Sequence, residues 1–273
     1  MKTIGLLGGM SWESSILYEQ IINQEVRARL GGVHSASLLI RSYDFAQIER
    51  LQAAGDWQQA GHLLAADAAR LQDAGAQILV LATNTMHQVY DQIAASVSIP
   101  FPHIADATGT AIRAAGLSRI GLLGTRFTME RGFYRDRLAA THQLKILVPA
   151  EADRALVHQV IYSELVRGVI SDASRQHYLE IIRRLTEQGA EGVIAGCTEI
   201  ELLVAGDDTG LPYFPTTRLH AQAAVDLALA RHADLLFWHG VRDQASDQTA
   251  GQIGIGFGAH CRNDLAALRD GSA

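Results

Sequence analysis

Residues 71–85 (LQDAGAQILVLATNT) return as residues 185–199 (LTEQGAEGVIAGCTE), in gapless register at an offset of 185 − 71 = 114. The opening run IGLLGG (residues 4–9) returns as IGLLGT (residues 120–125), at an offset of 116. A near-constant offset means two copies of one unit, each carrying a buried strand into a small polar cluster. The repeat therefore predicts two similar lobes facing one another with a site between them. At matched positions of the two copies stand Thr83 and Cys197.

Short apolar runs alternate with longer amphipathic stretches, which is the pattern of a parallel α/β sheet flanked by helices. Residues 4–7, 37–40, 78–82 and 99–104 read as strands of the first half, and residues 120–123, 144–147, 193–195 and 211–214 as strands of the second. Residues 16–29, 57–72, 154–167 and 178–188 carry apolar side chains near helical spacing, and a last helix follows Thr217. These assignments predict an N-terminal lobe of residues 1–107 joined by 214–231, and a C-terminal lobe of residues 108–213. Residues 232–273 match neither copy and read as a poorly ordered extension, so Cys261 within it is not expected to do chemistry.

A net charge of −6 argues against a nucleic-acid binder, which needs a basic stripe. No apolar run approaches the roughly 20 residues of a membrane span, and Gly8-Gly9 breaks the opening run too early for a signal peptide. Two cysteines 261 − 197 = 64 positions apart make neither a disulfide framework nor a metal site, so a cytoplasmic location is expected. No His/Cys/Asp/Glu cluster has metal-ligand spacing, and neither a dinucleotide fingerprint nor a phosphate loop is present.

In α/β sheets ligands bind beyond the carboxyl ends of the strands, where helix N-termini offer backbone N–H groups. Thr83-Asn84-Thr85, Cys197-Thr198-Glu199 and Gly8-Gly9-Met10-Ser11 all occupy such junctions. One such cluster alone reads as a helix cap; two at matched positions, with a cysteine, point to function. Cys197 before a helix is expected to have a lowered pKa and thiolate character. His87, four residues after Thr83, is a candidate proton relay or simply a capping or surface histidine. His103 reads as a structural residue near the strand end, and Asp44, Glu49 and Asp106 as solvated charges.

With IGLLGGMSWESS, TNTMH, HIAD and AGCTE in this order, residues 1–231 resemble the cofactor-independent aspartate/glutamate racemases. The resemblance implies two α/β lobes with the active site in the interlobe cleft, no pyridoxal phosphate, and a homodimer. It implies that two cysteines flank the substrate Cα, one removing its proton and the other supplying a proton to the opposite face. Carried over by motif, the second cysteine is Cys197, and Met10, Gln52, Asn84, Thr85 and Thr198 fall at substrate-holding positions. The first cysteine is here Thr83, as in the Thr/Cys branch that acts on L-aspartate and L-glutamate. On that resemblance Cys197 deprotonates the L-isomer and Thr83 donates to the other face.

Loss of one cysteine also leaves three alternatives open: an arylmalonate-type decarboxylase, a broad-specificity racemase, and a silent amino-acid-binding protein. An acidic substrate needs cationic or multiple hydrogen-bonding partners for its distal carboxylate; Arg41, Arg50 and Arg126 are the candidates, and residues 161–168 offer only Arg167 as a cation.

Overall fold

The computed structural model describes residues 1–230, and residues 231–273, with Cys261 and the extension expected over 232–273, lie outside the described residues. Two parallel sheets carry the chain. The first has the order β2-β1-β3, from β1 (Ile4–Gly8), β2 (Leu38–Ser42) and β3 (Ile78–Leu81). The second has the order β5-β4-β6-β7, from β4 (Arg119–Gly124), β5 (Lys145–Leu147), β6 (Gly192–Gly196) and β7 (Tyr213–Pro215). The repeat is visible in the ladders: Ile4 pairs with Ile78 in one sheet, and Ile120 with Gly192 in the other.

Parallel neighbours need crossover connections, and helices supply them. In the first half these are α1 (Trp12–Leu30), α2 (Phe45–Ala54), α3 (Trp57–Asp73), α4 (Tyr90–Ala94) and α5 (Ile104–Ala114). The second half has α6 (Arg126–Glu130), α7 (Gly132–His142), α8 (Glu151–Ser163), α9 (Asp172–Glu187), α10 (Ile200–Leu203) and α11 (Gly206–Thr209). The last helix, α12 (Thr216–Leu229), packs against α1 and α5. Side-chain oxygens of Ser11, Asp44, Asp56 and Ser171 accept backbone N–H groups at the starts of α1, α2, α3 and α9. Each such cap is worth about 1 kcal/mol.

Each sheet builds its own core. Leu7, Leu79 and Leu81 pack in one cluster with Ala60, Leu64 and Ala68 of α3. Ile120, Leu122 and Val193 pack in another with Tyr178, Ile181 and Leu185 of α9. Burying each large aliphatic side chain contributes roughly 1.5–3 kcal/mol, which is why the central strands are apolar without alternation.

Two expectations are corrected. Residues 99–104 are not a strand. Pro100 and Pro102 lack the N–H groups a ladder requires, and one bond, from the Leu79 N–H to the Pro100 carbonyl (2.9 Å), is what remains. The second copy keeps the equivalent bond, from Val193 to Pro212 (2.9 Å), and continues into β7. The helix expected over residues 154–167 ends at Ser163 and tightens into a 3-10 turn at Leu165–Arg167.

Candidate active site

The turn after β1 carries Met10 and Ser11 towards the second sheet. Gly9 makes this turn possible: its φ is +80°, and a Cβ there would stand 2.3 Å from the Tyr43 backbone nitrogen. Ser15 Oγ accepts the Gly9 N–H at 2.6 Å and pins the turn to α1. The ends of β3 and β6 deliver Thr83-Asn84-Thr85 and Cys197-Thr198-Glu199. All six of these side chains line one cleft. Met10 and Gln52 line it too, so the seven residues assigned catalytic or substrate-holding positions by motif all line one cleft.

Asn84 and Glu199 stand at the cap positions of the short turns that follow them, but neither side chain makes a cap hydrogen bond. Asn84 Nδ2 donates to Thr216 Oγ1 (2.9 Å), while Asn84 Oδ1 is buried without a partner. Thr85 and Thr125 share a hydrogen bond between their hydroxyls (3.0 Å). Thr125 is the repeat counterpart of Gly9, a signal in the register that sequence reasoning passed over.

Glu199 ends the repeated segment and belongs to the Cys197 cluster, but residue type alone gives it no role. Its side chain is 3% exposed. Oε1 accepts from Ser11 (2.6 Å) and Ser14 (2.7 Å). Oε2 accepts from Thr198 Oγ1 (2.7 Å) and from Cys197 Sγ (2.9 Å). The Ser14 and Thr198 hydroxyl oxygens are also in close contact. This environment reverses the expectation for the thiol: burial, the Glu199 charge and the hydrogen bond to Glu199 push Cys197 well above the ordinary thiol range. The helix that follows, α10, has four residues and begins three positions later, so its dipole is small beside a neighbouring carboxylate.

His87 is no relay to the Thr83 hydroxyl. Its Nε2 accepts the Ile104 N–H (3.2 Å), so Nδ1 carries the proton and donates to the Thr83 carbonyl (2.7 Å). Burial and nearby His220 hold its pKa well below the usual range, and the ring stays neutral. His103 is structural, its Nδ1 accepting the Ala105 N–H at the start of α5. Asp44 caps α2. Asp106 is not merely solvated: it holds a two-pronged pair with Arg137 (2.8 and 2.6 Å).

The charged side chain lining the cleft is Glu199; no cation lines it. Arg41 is committed to Asp67 (2.9 Å) and stacks on Tyr43. Arg50 and Arg167 are exposed and away from the lining. Met10, Phe45, Ile161 and Val166 form an apolar wall instead. Arg126, with Arg131 and His158, lines a separate outer pocket that shares only Gln52 and Tyr162 with the cleft. Tyr162 donates to Gln52 Oε1 at 2.9 Å, tying α8 to α2 at that junction. The cleft encloses a free volume of about 20 Å³, against about 580 Å³ outside. No group of His, Cys, Asp and Glu suited to a metal occurs among the described residues, and no helix there is long and apolar enough to cross a membrane.

The model of the family described as Asp/Glu/Hydantoin racemase matches residues 7–224. A crystal structure from Yersinia pestis, provisionally described as an Asp/Glu racemase, is 52% identical, with a TM-score of 0.79 over 84% of this chain and 100% of that one. An aspartate racemase homologue from Pyrococcus horikoshii OT3 is 29% identical, with a TM-score of 0.73 over 84% of this chain and 100% of that one. A broad specificity amino-acid racemase of Bacillus subtilis (strain 168) is 21% identical over 60% of this chain and 70% of its own.

Proposed function

The chain belongs to the Asp/Glu/Hydantoin racemase family, and from that premise we propose that it inverts α-amino acids by proton transfer between Cys197 and Thr83. One observation carries the reading: the two residues matched by the repeat line the same cleft. Cys197 takes the Cα proton of the L-isomer, and Thr83 donates to the opposite face. Asn84, with its unpartnered Oδ1, suits the α-ammonium group. Thr85, Thr198, Met10 and Gln52 complete the substrate contacts. The reaction uses no cofactor, and the enzyme works as a cytoplasmic homodimer. Its first lobe comprises residues 1–107 joined by the last helix, which packs against α1, and its second lobe residues 108–213.

L-Aspartate and L-glutamate are the substrates implied by the resemblance. A second reading, broad specificity for uncharged side chains, is favoured by the apolar wall and by the lack of a lining cation. A distal carboxylate would have to pass the Gln52–Tyr162 contact to reach Arg126. Incubation in deuterium oxide with L-aspartate, L-glutamate or L-methionine, followed by proton NMR and chiral chromatography, separates the cases. Exchange of Cα–H with appearance of D-isomer is expected. Turnover of the acidic pair alone favours the first reading, and turnover of methionine the second. No exchange with any amino acid would overturn the racemase reading.

A further inference from the structure

Resting on that racemase reading, we infer that the Glu199 carboxylate is the resident proton acceptor for the Cys197 thiol and arms it as a base. The Cys197 thiol donates directly to Oε2 (2.9 Å). Thr198, Ser11 and Ser14 supply three further donors. An ionised carboxylate has about four acceptor positions, and four donors fill them. The resting pair is thus a thiol and a carboxylate, buried together and carrying one negative charge.

The arrangement is poor for a thiol that must lose its proton to water, because burial and the adjacent charge oppose the thiolate. Transfer to Glu199 removes that obstacle. The S–H bond breaks, an O–H bond forms on Oε2, and the charge moves from oxygen to sulfur with no change in the pair's total. The thiolate then takes the Cα proton, whose bonding electrons stay on carbon. Cys197 is a thiol again and Glu199 is neutral. Turnover closes when the pair's surplus proton leaves to solvent and Thr83 recovers the proton it gave to the other face. Glu199 acts through Cys197 and is a positioning residue, not a substrate contact.

Other ionisable groups bear on the pair. Glu201, which follows on α10, is raised by burial to about 7 and has Arg218 nearby. Tyr162 on α8 and Tyr178 on α9 are raised by burial and stay neutral. Tyr18 on α1, likewise raised, faces Glu201. Glu201 is therefore the competing owner of any acid limb in a pH profile.

The test is the pH dependence of kcat and KM for an L-substrate in the wild type, Glu199→Gln, Glu199→Asp and Glu201→Gln. Glu199→Gln is expected to lower kcat by roughly 10²–10³-fold, to change KM little, and to abolish the acid limb. Glu199→Asp should restore part of kcat. Should Glu199→Gln fail to fold, Ser14→Ala still decides the matter. It keeps the carboxylate but removes a donor that stabilises the charged form, so the acid limb should move to higher pH. A Glu199→Gln enzyme with nearly wild-type kcat, an effect confined to KM, or an acid limb lost in Glu201→Gln instead would overturn the assignment. So would an unmoved limb in Ser14→Ala.

Alkylation of Cys197 by iodoacetamide, located by peptide mapping, needs no turnover and separates failure here from failure of the racemase reading. An internal transfer gives a thiolate fraction independent of pH between the two ionisations of the pair. The wild-type rate should hold a plateau around neutrality, whereas in Glu199→Gln it should climb about tenfold per pH unit, following the thiolate. A wild-type rate that climbs in the same way refutes the proposal.

Discussion

Cys197 and Thr83 stand at one position of a repeated motif, yet they are chemically unequal. A thiol can reach its thiolate through Glu199, whereas a threonine alkoxide is far less accessible. Replacing Cys197 with Ser should therefore lower kcat for the L-isomer by about 10²–10⁴-fold, the usual worth of a general acid–base group. Substantial activity in purified Cys197→Ser would mean that the base has been misassigned. L and D forms have equal free energy in water, so kcat/KM must match in the two directions. The inequality should appear as low kcat paired with low KM for the D-isomer. Thr83→Cys should raise kcat for D by more than for L, measured by circular dichroism in both directions. Equal kcat values in the wild type, unmoved by Thr83→Cys, would remove Thr83 from the limiting step.

The elements matter through their junctions. The turn from β1 into α1 places Ser11 and Ser14 on Glu199, and it depends on Gly9, whose φ of +80° and contact with the Tyr43 backbone admit no side chain. Gly9→Ala combines a strained backbone with a clash against main chain, and should cost roughly 2–5 kcal/mol. Urea denaturation of the wild type and Gly9→Ala checks this, and a loss below 1 kcal/mol would show that the turn relaxes. Junctions were also where sequence reasoning was least reliable. Residues 99–104 have a strand's apolar content but carry two prolines in the wrong places. Cys197 precedes a helix, as expected, but one too short to govern its acidity.

Across the whole molecule, α12 joins the first sheet's helices to the end of the second sheet, and its His220 is fully buried there. His220 donates from Nε2 to the Pro102 carbonyl (3.1 Å) and accepts from the Tyr18 hydroxyl at Nδ1 (2.9 Å). Burial lowers it to about 4, and burial likewise holds His87 and His103 well below the ordinary value. Unfolded, each imidazole binds a proton near pH 6.5. Folded, His220 resists protonation down to about pH 4. The unfolded chain therefore binds more protons in this window, and stability is full above pH 6.5 and falls as pH drops towards 4. His220 alone should account for roughly 3 kcal/mol of that loss. Chemical denaturation at pH 7 and pH 4.5 should show a clearly smaller loss in His220→Gln than in the wild type; an equal loss would place the acid sensitivity elsewhere.

The repeat alone determined that there would be two similar parallel sheets and that Thr83 and Cys197 would end equivalent strands. Strand pairing follows from local apolar pattern and chain connectivity, both of which a duplicated sequence displays directly. The strand-end clusters of the cleft were legible for the same reason, whereas Gln52 followed only from the family resemblance and Thr125 was not marked by its residue type. The electrostatics were not. The acidity of Cys197, the fixed tautomer of His87 and the commitment of Arg41 to Asp67 each depend on a neighbour distant in sequence or on the depth of burial. Ser11 reaches Glu199 across 188 positions. Coulomb and hydrogen-bond energies act over a few ångströms of space, and only the folded chain decides which groups come that close.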